Sequence, residues 1–165
     1  MENRWLEILY HTYHQRLYLF ALSLAKDEAS AEDLVSETFI KLGVSNLKSE
    51  KEIEAWLFRV LKNQFIDTYR KNHRILDEGQ YQVEWLVDPY DATKKYIKDE
   101  QKRWLYRKIY TLSDKERNVM LLSLVSQLDD VEIAQLLKIS LDHIRSIRYR
   151  VKQKLIAYAK EEEML

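Results

Sequence analysis

Hydrophobic side chains recur three or four residues apart along most of the chain, which is the spacing of one face of an α-helix. In the first segment the apolar positions are Trp5, Leu6, Leu9, Tyr10, Tyr13, Leu17, Phe20, Ala21 and Leu24. The same spacing predicts helices near 2–26, 30–42, 51–73, 97–111, 114–127, 130–137 and 141–160. The 165 residues include only two glycines and one proline, which disfavours folds that need many tight turns. The pattern therefore predicts an all-α protein.

Four of the predicted helix starts carry a capping-box pattern, in which a hydroxyl or acid is followed three residues later by an acid. The pairs are Ser30/Asp33, Ser49/Glu52, Ser113/Glu116 and Asp129/Glu132. Between the third and fourth predicted helices, residues 75–95 contain Gly79 and Pro89 and show poor periodicity. We therefore predict two small helical domains, 1–75 and 97–165, joined by a flexible acidic linker at 76–96. A single helical bundle with one long loop is the alternative.

Charge is balanced over the whole chain but unevenly distributed along it. Lysine and arginine total 27, and aspartate and glutamate also total 27. Segment 59–74 has five bases and one acid, a net charge of +4, and segment 143–155 has five bases and no acid. The intervening segment 76–100 has seven acids and three bases, a net charge of −4. Two basic blocks around an acidic segment indicate a protein that binds a polyanion at two places. The alternative for either block alone is the solvent-exposed face of an ordinary surface helix.

Several function classes are disfavoured by residues that the chain lacks. It has no cysteine, which excludes disulfides, zinc–thiolate sites and cysteine nucleophiles. The spacing of Glu7, His11 and His14 would allow these side chains to bind a metal ion from one helix, but no second cluster of ligands supports such a site. We therefore expect no metal or cofactor. No nucleophile–base pair points to an enzyme or to a small-molecule substrate. The longest apolar stretch has nine residues, and the N-terminus lacks a secretion-signal pattern, so a cytoplasmic protein is expected.

The C-terminal domain shows the layout of a helix-turn-helix: an eight-residue helix, a turn at 138–140 and a longer basic helix. Ser140 is placed to cap the longer helix, whose apolar stripe contains Ile144, Ile147 and Val151. The polar face opposite that stripe suits a recognition helix in a DNA major groove, with a plain surface helix as the alternative. The candidate DNA-contacting residues are Asp142, His143, Arg145, Ser146, Tyr149 and Arg150.

The N-terminal domain offers two further candidate faces. On the helix from Lys51, cations, an amide and an aromatic share one face, which suits backbone phosphates and stacked unpaired bases. Its candidate residues are Trp56, Arg59, Asn63, Asp67, Arg70 and Arg74, and for Trp56 a position in the core is equally open. The outer side of helix 30–42 is acidic with one isoleucine, which suits a protein partner that presents basic, partly apolar helices. This candidate face consists of Asp33, Ser36, Glu37 and Ile40.

Four motifs, in order along nearly the whole chain, resemble the extracytoplasmic-function (group 4) sigma factors of the sigma-70 family, which serve bacterial RNA polymerase. They are Ala31–Phe39 (AEDLVSETF), Ala55–Asp67 (AWLFRVLKNQFID), Leu112–Arg117 (LSDKER) and Glu132–Ala134 with Ile139–Ser140 and Ile144–Ser146. Where the family commonly has glycine in the turn, this chain has Lys138, a mildly strained choice. In the recognition helix the family's usual arginine–leucine order is reversed, as Ile147-Arg148.

The resemblance implies a subunit that recognises promoters. Residues 1–75 would be the family's second domain, which melts and reads the minus-ten element, and helix 30–42 would dock on the polymerase clamp. The loop at about 43–52 would capture a flipped base, and residues 97–165 would be the fourth domain, which reads the minus-thirty-five element and touches the flap. The implied partners are core RNA polymerase, promoter DNA and, as in many family members, an anti-sigma factor. The alternatives are a helix-turn-helix regulator that acts without polymerase and a structural helical adaptor.

Overall fold

The computed structural model describes residues 2–47, 50–73 and 84–163, which form eight helices and no strand in those ranges. The helices are α1 (Glu2–Ala25), α2 (Glu28–Gly43), α3 (Glu50–His73), α4 (Pro89–Thr93), α5 (Glu100–Tyr110), α6 (Asp114–Val125), α7 (Asp130–Leu137) and α8 (Leu141–Glu161). The all-α prediction is confirmed. The short helix α4, which lies where a linker was predicted, is the only one of the eight that the sequence pattern missed.

The chain divides into two compact units, Met1–Ala92 and Thr93–Leu165. This division falls within the predicted linker at 76–96, of which residues 76–83 lie outside the described residues. Pro89 occupies the first position of α4, where a missing N–H costs nothing, and the Asp88 carboxylate accepts a hydrogen bond from the Tyr90 N–H at 2.9 Å. The Leu86 N–H also donates to the Lys26 carbonyl at 2.9 Å. Residues 84–92 therefore pack on the first unit.

The core of the first unit is formed by the inner faces of α1, α2 and α3. Every side chain from Leu17 to Ala25 in α1 is buried, because this stretch packs against both other helices. The rings of Phe20 and Phe58 meet edge to face with their centres 5.7 Å apart and join α1 to α3. Tyr10 meets Phe39 in the same way at 5.0 Å and joins α1 to α2. These contacts hold α2 and α3 side by side on α1.

Two of the predicted helix caps are confirmed and one is wrong. The Ser113 and Asp129 side chains accept hydrogen bonds from the N–H groups of the residues three positions later, and at Asp129 the Glu132 side chain returns the bond and completes a capping box. The cap of α2 is Asp27 instead of Ser30, because an acid one turn earlier accepts from both the Ser30 N–H, at 3.1 Å, and the Ser30 hydroxyl, at 2.7 Å. The hydrogen bonds from Ser30 lower the pKa of the Asp27 carboxyl. Ser49 lies outside the described residues.

In the second unit, α7 and α8 flank the three-residue turn at 138–140 and pack on α6. Ile133, Ile144, Ile147 and Val151 are fully buried between these helices. The Ser140 hydroxyl accepts a hydrogen bond from the His143 N–H at 3.1 Å, so the predicted cap of α8 is present. Lys138 has φ 56° and ψ 45°, the left-handed conformation that ends α7. The substitution of lysine for the usual glycine therefore places a side chain where a Cβ is disfavoured.

We expect Lys138→Gly to stabilise the second unit by about 0.5–1 kcal/mol, because glycine adopts this conformation without the Cβ clash. The gain is partly offset by the greater freedom of glycine in the unfolded chain. Urea unfolding followed by far-ultraviolet circular dichroism measures it. Lys138→Ala is the matched control, since alanine removes the long side chain but keeps the Cβ. Equal stabilisation by both variants would show that the backbone conformation is not the cause.

Candidate functional site

The first candidate surface lies on α3 and is called the α3 face, made of Trp56, Arg59, Asn63, Asp67 and Arg70. The last four are exposed and Trp56 is half-buried. Their spacing of three or four residues places them in one stripe along the helix. The structure therefore brings five of the six predicted residues together, while Arg74 lies outside the described residues.

The orientation of the α3 face is fixed by what the opposite side of α3 buries. Leu57, Phe58 and Leu61 are completely buried against α1 and α2, and Phe65 and Tyr69 continue that side. A rotation of α3 would expose these rings and aliphatic chains, at a cost of about 1.5–3 kcal/mol for each side chain. Burial therefore determines which residues α3 presents outward. The loop predicted to capture a base, 43–52, includes residues 48 and 49, which lie outside the described residues.

The second candidate surface, called the α2 face, is made of Asp33, Ser36, Glu37 and Ile40 on α2 and of Val44, the residue that caps the end of this helix. The four predicted residues are all exposed, with Ile40 at 68%. Sequence reasoning missed Val44, which is 83% exposed and stands four residues after Ile40. It was missed because the predicted helix ended at 42, although the interval of four was a readable signal. The face thus combines two carboxylates with two exposed aliphatic side chains.

A hydrogen-bonded chain joins the α2 face to α3. The Gln64 side chain, only 6% exposed, donates from Nε2 to Glu37 Oε2 at 3.0 Å. Its Oε1 lies 3.1 Å from the hydroxyl of Thr38, which also donates to the Leu34 carbonyl at 2.7 Å. Sequence reasoning missed Gln64. The available signal was a polar residue on the apolar side of α3, next to Phe65.

The third candidate surface is the outer side of α8 and is called the α8 face. Asp142, Arg145, Ser146, Tyr149 and Arg150 are exposed, with Tyr149 at 68%, and His143 is half-buried. All six lie away from the stripe of Ile144, Ile147 and Val151, which is fully buried. The structure therefore places the predicted residues together on one side of one helix.

Two of the five bases in segment 143–155 hold the second unit together. Arg148 donates to the Ser123 hydroxyl of α6 from Nε at 3.0 Å and from Nη2 at 2.9 Å, and its Nη1 pairs with Asp130 of α7. Lys154 Nζ lies 3.1 Å from Glu116 Oε2 of α6. Two of the five bases are therefore paired within the second unit, and the polyanion-binding surface remains a prediction for the other three. Sequence separation hid these pairs, because the partners stand 18 to 38 residues away.

Glu116 of α6 is a carboxyl group whose pKa is affected by two basic residues of α8. Partial burial acts to raise the pKa of this carboxyl, but the hydrogen bonds from Lys154 and Ser113 and the charges of Lys154 and Arg150 outweigh it. The pKa is therefore lowered, and the carboxylate stays charged at neutral pH. Arg150 is exposed, yet part of its charge acts on Glu116.

His14 packs within the first unit. The ring of His14 stacks on Tyr10 with centres 4.8 Å apart, and its Nδ1 lies 2.9 Å from the Tyr10 carbonyl oxygen. Within the described ranges no group of three His, Cys, Asp or Glu side chains is placed to hold a metal ion. In the same part of the chain, no helix has the length and apolar character required to span a bilayer.

Known proteins share both the sequence pattern and the fold. Residues 9–75 match the family Sigma-70 region 2. The chain is 28% identical over 150 residues to the ECF RNA polymerase sigma factor SigM of Bacillus subtilis, a match that covers 90% of this chain and 91% of that one. It is 25% identical over 167 residues to the RNA polymerase sigma factor YlaC of the same organism, covering 97% and 96%. Among solved structures, the sigma factor RpoE of Bartonella quintana, crystallised with the anti-sigma factor NepR, shares the fold with a TM-score of 0.57, 23% identity and coverage of 97% and 98%.

Proposed function

We propose that this chain is an extracytoplasmic-function sigma factor of the sigma-70 family, and that it binds core RNA polymerase through the α2 face and promoter DNA through the α3 and α8 faces. Sigma factors are transcription initiation factors and not enzymes. The observation that carries the proposal is that α2 and α3, packed side by side, present a carboxylate–aliphatic face and a cation–amide–aromatic face from one small unit. A regulator that binds only duplex DNA would need neither a face for polymerase nor a face for unpaired bases.

On this proposal the first unit acts as sigma domain 2 and reads the melted minus-ten element through the α3 face. Exposed Arg59 and Arg70 are suited to phosphates, and Asn63 between them has both donors and an acceptor for a base edge. Half-buried Trp56 keeps part of its ring outside the core, and a base stacked on an aromatic gains about 1–3 kcal/mol. Asp67 is suited to accept from the amino group of cytosine.

The second unit acts as sigma domain 4 and reads the minus-thirty-five element in duplex form. Ser140 caps the N-terminus of α8, and the exposed side chains that follow the cap are those suited to a major groove. Arg145 is suited to the acceptor pair of guanine, and exposed Tyr149 offers a hydroxyl for a phosphate and an apolar ring for the methyl group of thymine.

Two further parts of the proposal concern partners and location. The structural neighbour RpoE is described in complex with the anti-sigma factor NepR, and we propose that this chain is also held by a protein of that class. A cytoplasmic location follows from the proposed partners, since a bacterial core polymerase and its promoters are found there. The remaining alternative is a helix-turn-helix regulator that acts on duplex DNA without polymerase.

Open-complex formation tests the proposed function. Core polymerase with this chain is expected to make thymines near the start site reactive to permanganate, and polymerase alone is not. We expect Asn63→Ala to lower this reactivity about tenfold while core binding stays unchanged, because one lost base contact removes ~1–3 kcal/mol. Thr68→Ala is the matched control, since Thr68 is exposed on the same helix but off the α3 face.

The template distinguishes the two ways in which Asn63→Ala can fail. A pre-melted bubble is expected to rescue a defect in strand separation but not a defect in base capture. If the variant opens the promoter as well as the parent, Asn63 is not a base contact. If the parent gives no polymerase-dependent melting on any promoter, the proposed opening activity is wrong.

A further inference from the structure

We propose that Gln64 is a positioning residue for the polymerase contact: its buried amide holds the Glu37 carboxylate in the orientation that the α2 face presents. The inference rests on the proposed function, because it takes the α2 face to be the surface that meets polymerase. Gln64 itself is too buried, at 6% exposed, to touch a partner protein. It acts through Glu37 alone.

The orientation of the Gln64 amide is fixed by its neighbours on α2. Its Nε2 faces Glu37 Oε2 at 3.0 Å, and an ionised carboxylate can only accept. Its Oε1 lies 3.1 Å from the Thr38 hydroxyl, whose single proton is shared between this oxygen and the Leu34 carbonyl. A flipped amide would set its oxygen against the carboxylate, so the bond to Glu37 decides the orientation. The Thr38 hydroxyl lies 2.7 Å from the Leu34 carbonyl, which anchors this chain of hydrogen bonds to the backbone of α2.

The hydrogen bond leaves Glu37 able to bind a partner. A carboxylate has about four acceptor sites on two oxygens, and Gln64 uses one of them. Glu37 remains exposed beside Asp33 and Ile40. An exposed glutamate without this bond samples several rotamers and loses that freedom when it docks. The bond to Gln64 already restricts Glu37 in the free protein, so less side-chain entropy is lost when polymerase binds.

An apolar side chain would satisfy the packing at position 64 equally well. The neighbours on α3, Leu61 and Phe65, are both buried, and the position lies between α3 and α2. Burying an amide there is favourable only if its polar atoms are paired, which ties the residue to Thr38 and Glu37. The polar choice therefore has a specific effect, the restraint of Glu37, that packing does not require.

A double-mutant cycle tests this inference, with Gln64→Met as the variant because methionine keeps the length and apolar packing without the amide. The dissociation constant for core RNA polymerase is measured for the parent, Gln64→Met, Glu37→Ala and the double variant. We expect Gln64→Met to raise Kd about three- to tenfold in the parent, the cost of ordering one free side chain on binding. In the Glu37→Ala background we expect no further change.

A purely structural role would give a different result, namely equal weakening by Gln64→Met in both backgrounds. Thr38→Val is the matched control, since it removes the other partner of the amide but leaves the bond to Glu37. We expect it to raise Kd by less than Gln64→Met does. If Gln64→Met does not fold, solvent exchange of the Gln64 side-chain amide protons replaces it. That exchange is expected to be slow in the parent and faster in Glu37→Ala, and equally fast exchange in both proteins would refute the inference.

The failure of this inference can be distinguished from the failure of the proposed function. If the parent binds polymerase and Glu37→Ala weakens binding but Gln64→Met does not, only the positioning role is wrong. If Glu37→Ala has no effect, Glu37 is not a contact and Gln64 has nothing to position. If the parent does not bind core polymerase at all, the proposed function fails and the inference fails with it.

Discussion

Exchange of both Asp33 and Glu37 for lysine is expected to weaken binding to core RNA polymerase by at least about a hundredfold, the largest effect we anticipate, because like charges brought together at an interface cost several kcal/mol. Both side chains are exposed, but Glu37 accepts the hydrogen bond of the buried Gln64 amide, so the folded protein should lose about 1–3 kcal/mol of stability while remaining helical. A hundredfold change corresponds to about 2.7 kcal/mol, which is the size of one strong interface contact. Co-elution with core polymerase and a titration of Kd measure the loss.

The control must separate a local contact from the net charge of the chain. Glu7 and Glu161 are exposed acids outside the α2 face, and their exchange for lysine gives the same change in net charge. This pair is expected to change Kd less than about threefold at physiological ionic strength, where distant charges are largely screened. If the Asp33/Glu37 variant co-elutes with polymerase like the parent, the assignment of the α2 face to polymerase is wrong.

Removal of Arg145 and Arg150 is expected to have the second largest effect, on promoter duplex binding. Each lost phosphate contact should reduce the slope of log K against log salt by about 0.9. A contact to a guanine edge would add a loss of about 1–3 kcal/mol in discrimination between bases. Arg145→Ala gives the cleaner single result, because Arg150 also lowers the pKa of Glu116. The measurement is binding of a minus-thirty-five duplex over a range of salt concentrations.

Lys160→Ala is the matched control for the two arginines. Lys160 is exposed on the same helix and carries the same charge, but it stands 15 residues beyond Arg145, about 22 Å along the axis. We expect it to leave both the salt slope and the base preference unchanged. Equal binding of the parent to the promoter element and to a scrambled duplex would contradict a reading role for α8.

The helices and their outward faces could be predicted from the sequence because both follow from local periodicity. The apolar stripe of Ile144, Ile147 and Val151 orients α8, and once it is buried the opposite side is determined. The same reasoning placed the α2 and α3 faces correctly on the outer sides of their helices. The short helix α4 could not be predicted, since a proline such as Pro89 is compatible both with a linker and with the first position of a helix.

The hydrogen bonds that organise the candidate surfaces could not be predicted in the same way. Glu37 and Gln64 stand 27 residues apart, and Arg148 and Ser123 stand 25 apart. Their meeting depends on how neighbouring helices pack, and periodicity within one helix carries no information on that. A polar residue on an apolar face, as at position 64, marks where to look for such a bond but does not identify its partner.

If α8 reads promoter DNA as proposed, the attachment of Arg148 to Ser123 and Asp130 has a consequence for how promoter preference evolves. Because α8 is bonded through one residue to both α6 and α7, these two helices determine the angle at which α8 would enter a DNA groove. Substitution of Ser123 or Asp130 would change this angle and reorient every side chain of the α8 face, although the residues of the face stay the same. Two relatives with identical recognition residues can therefore diverge in their target sequences, and a recognition code deduced from α8 alone would assign them the same regulon.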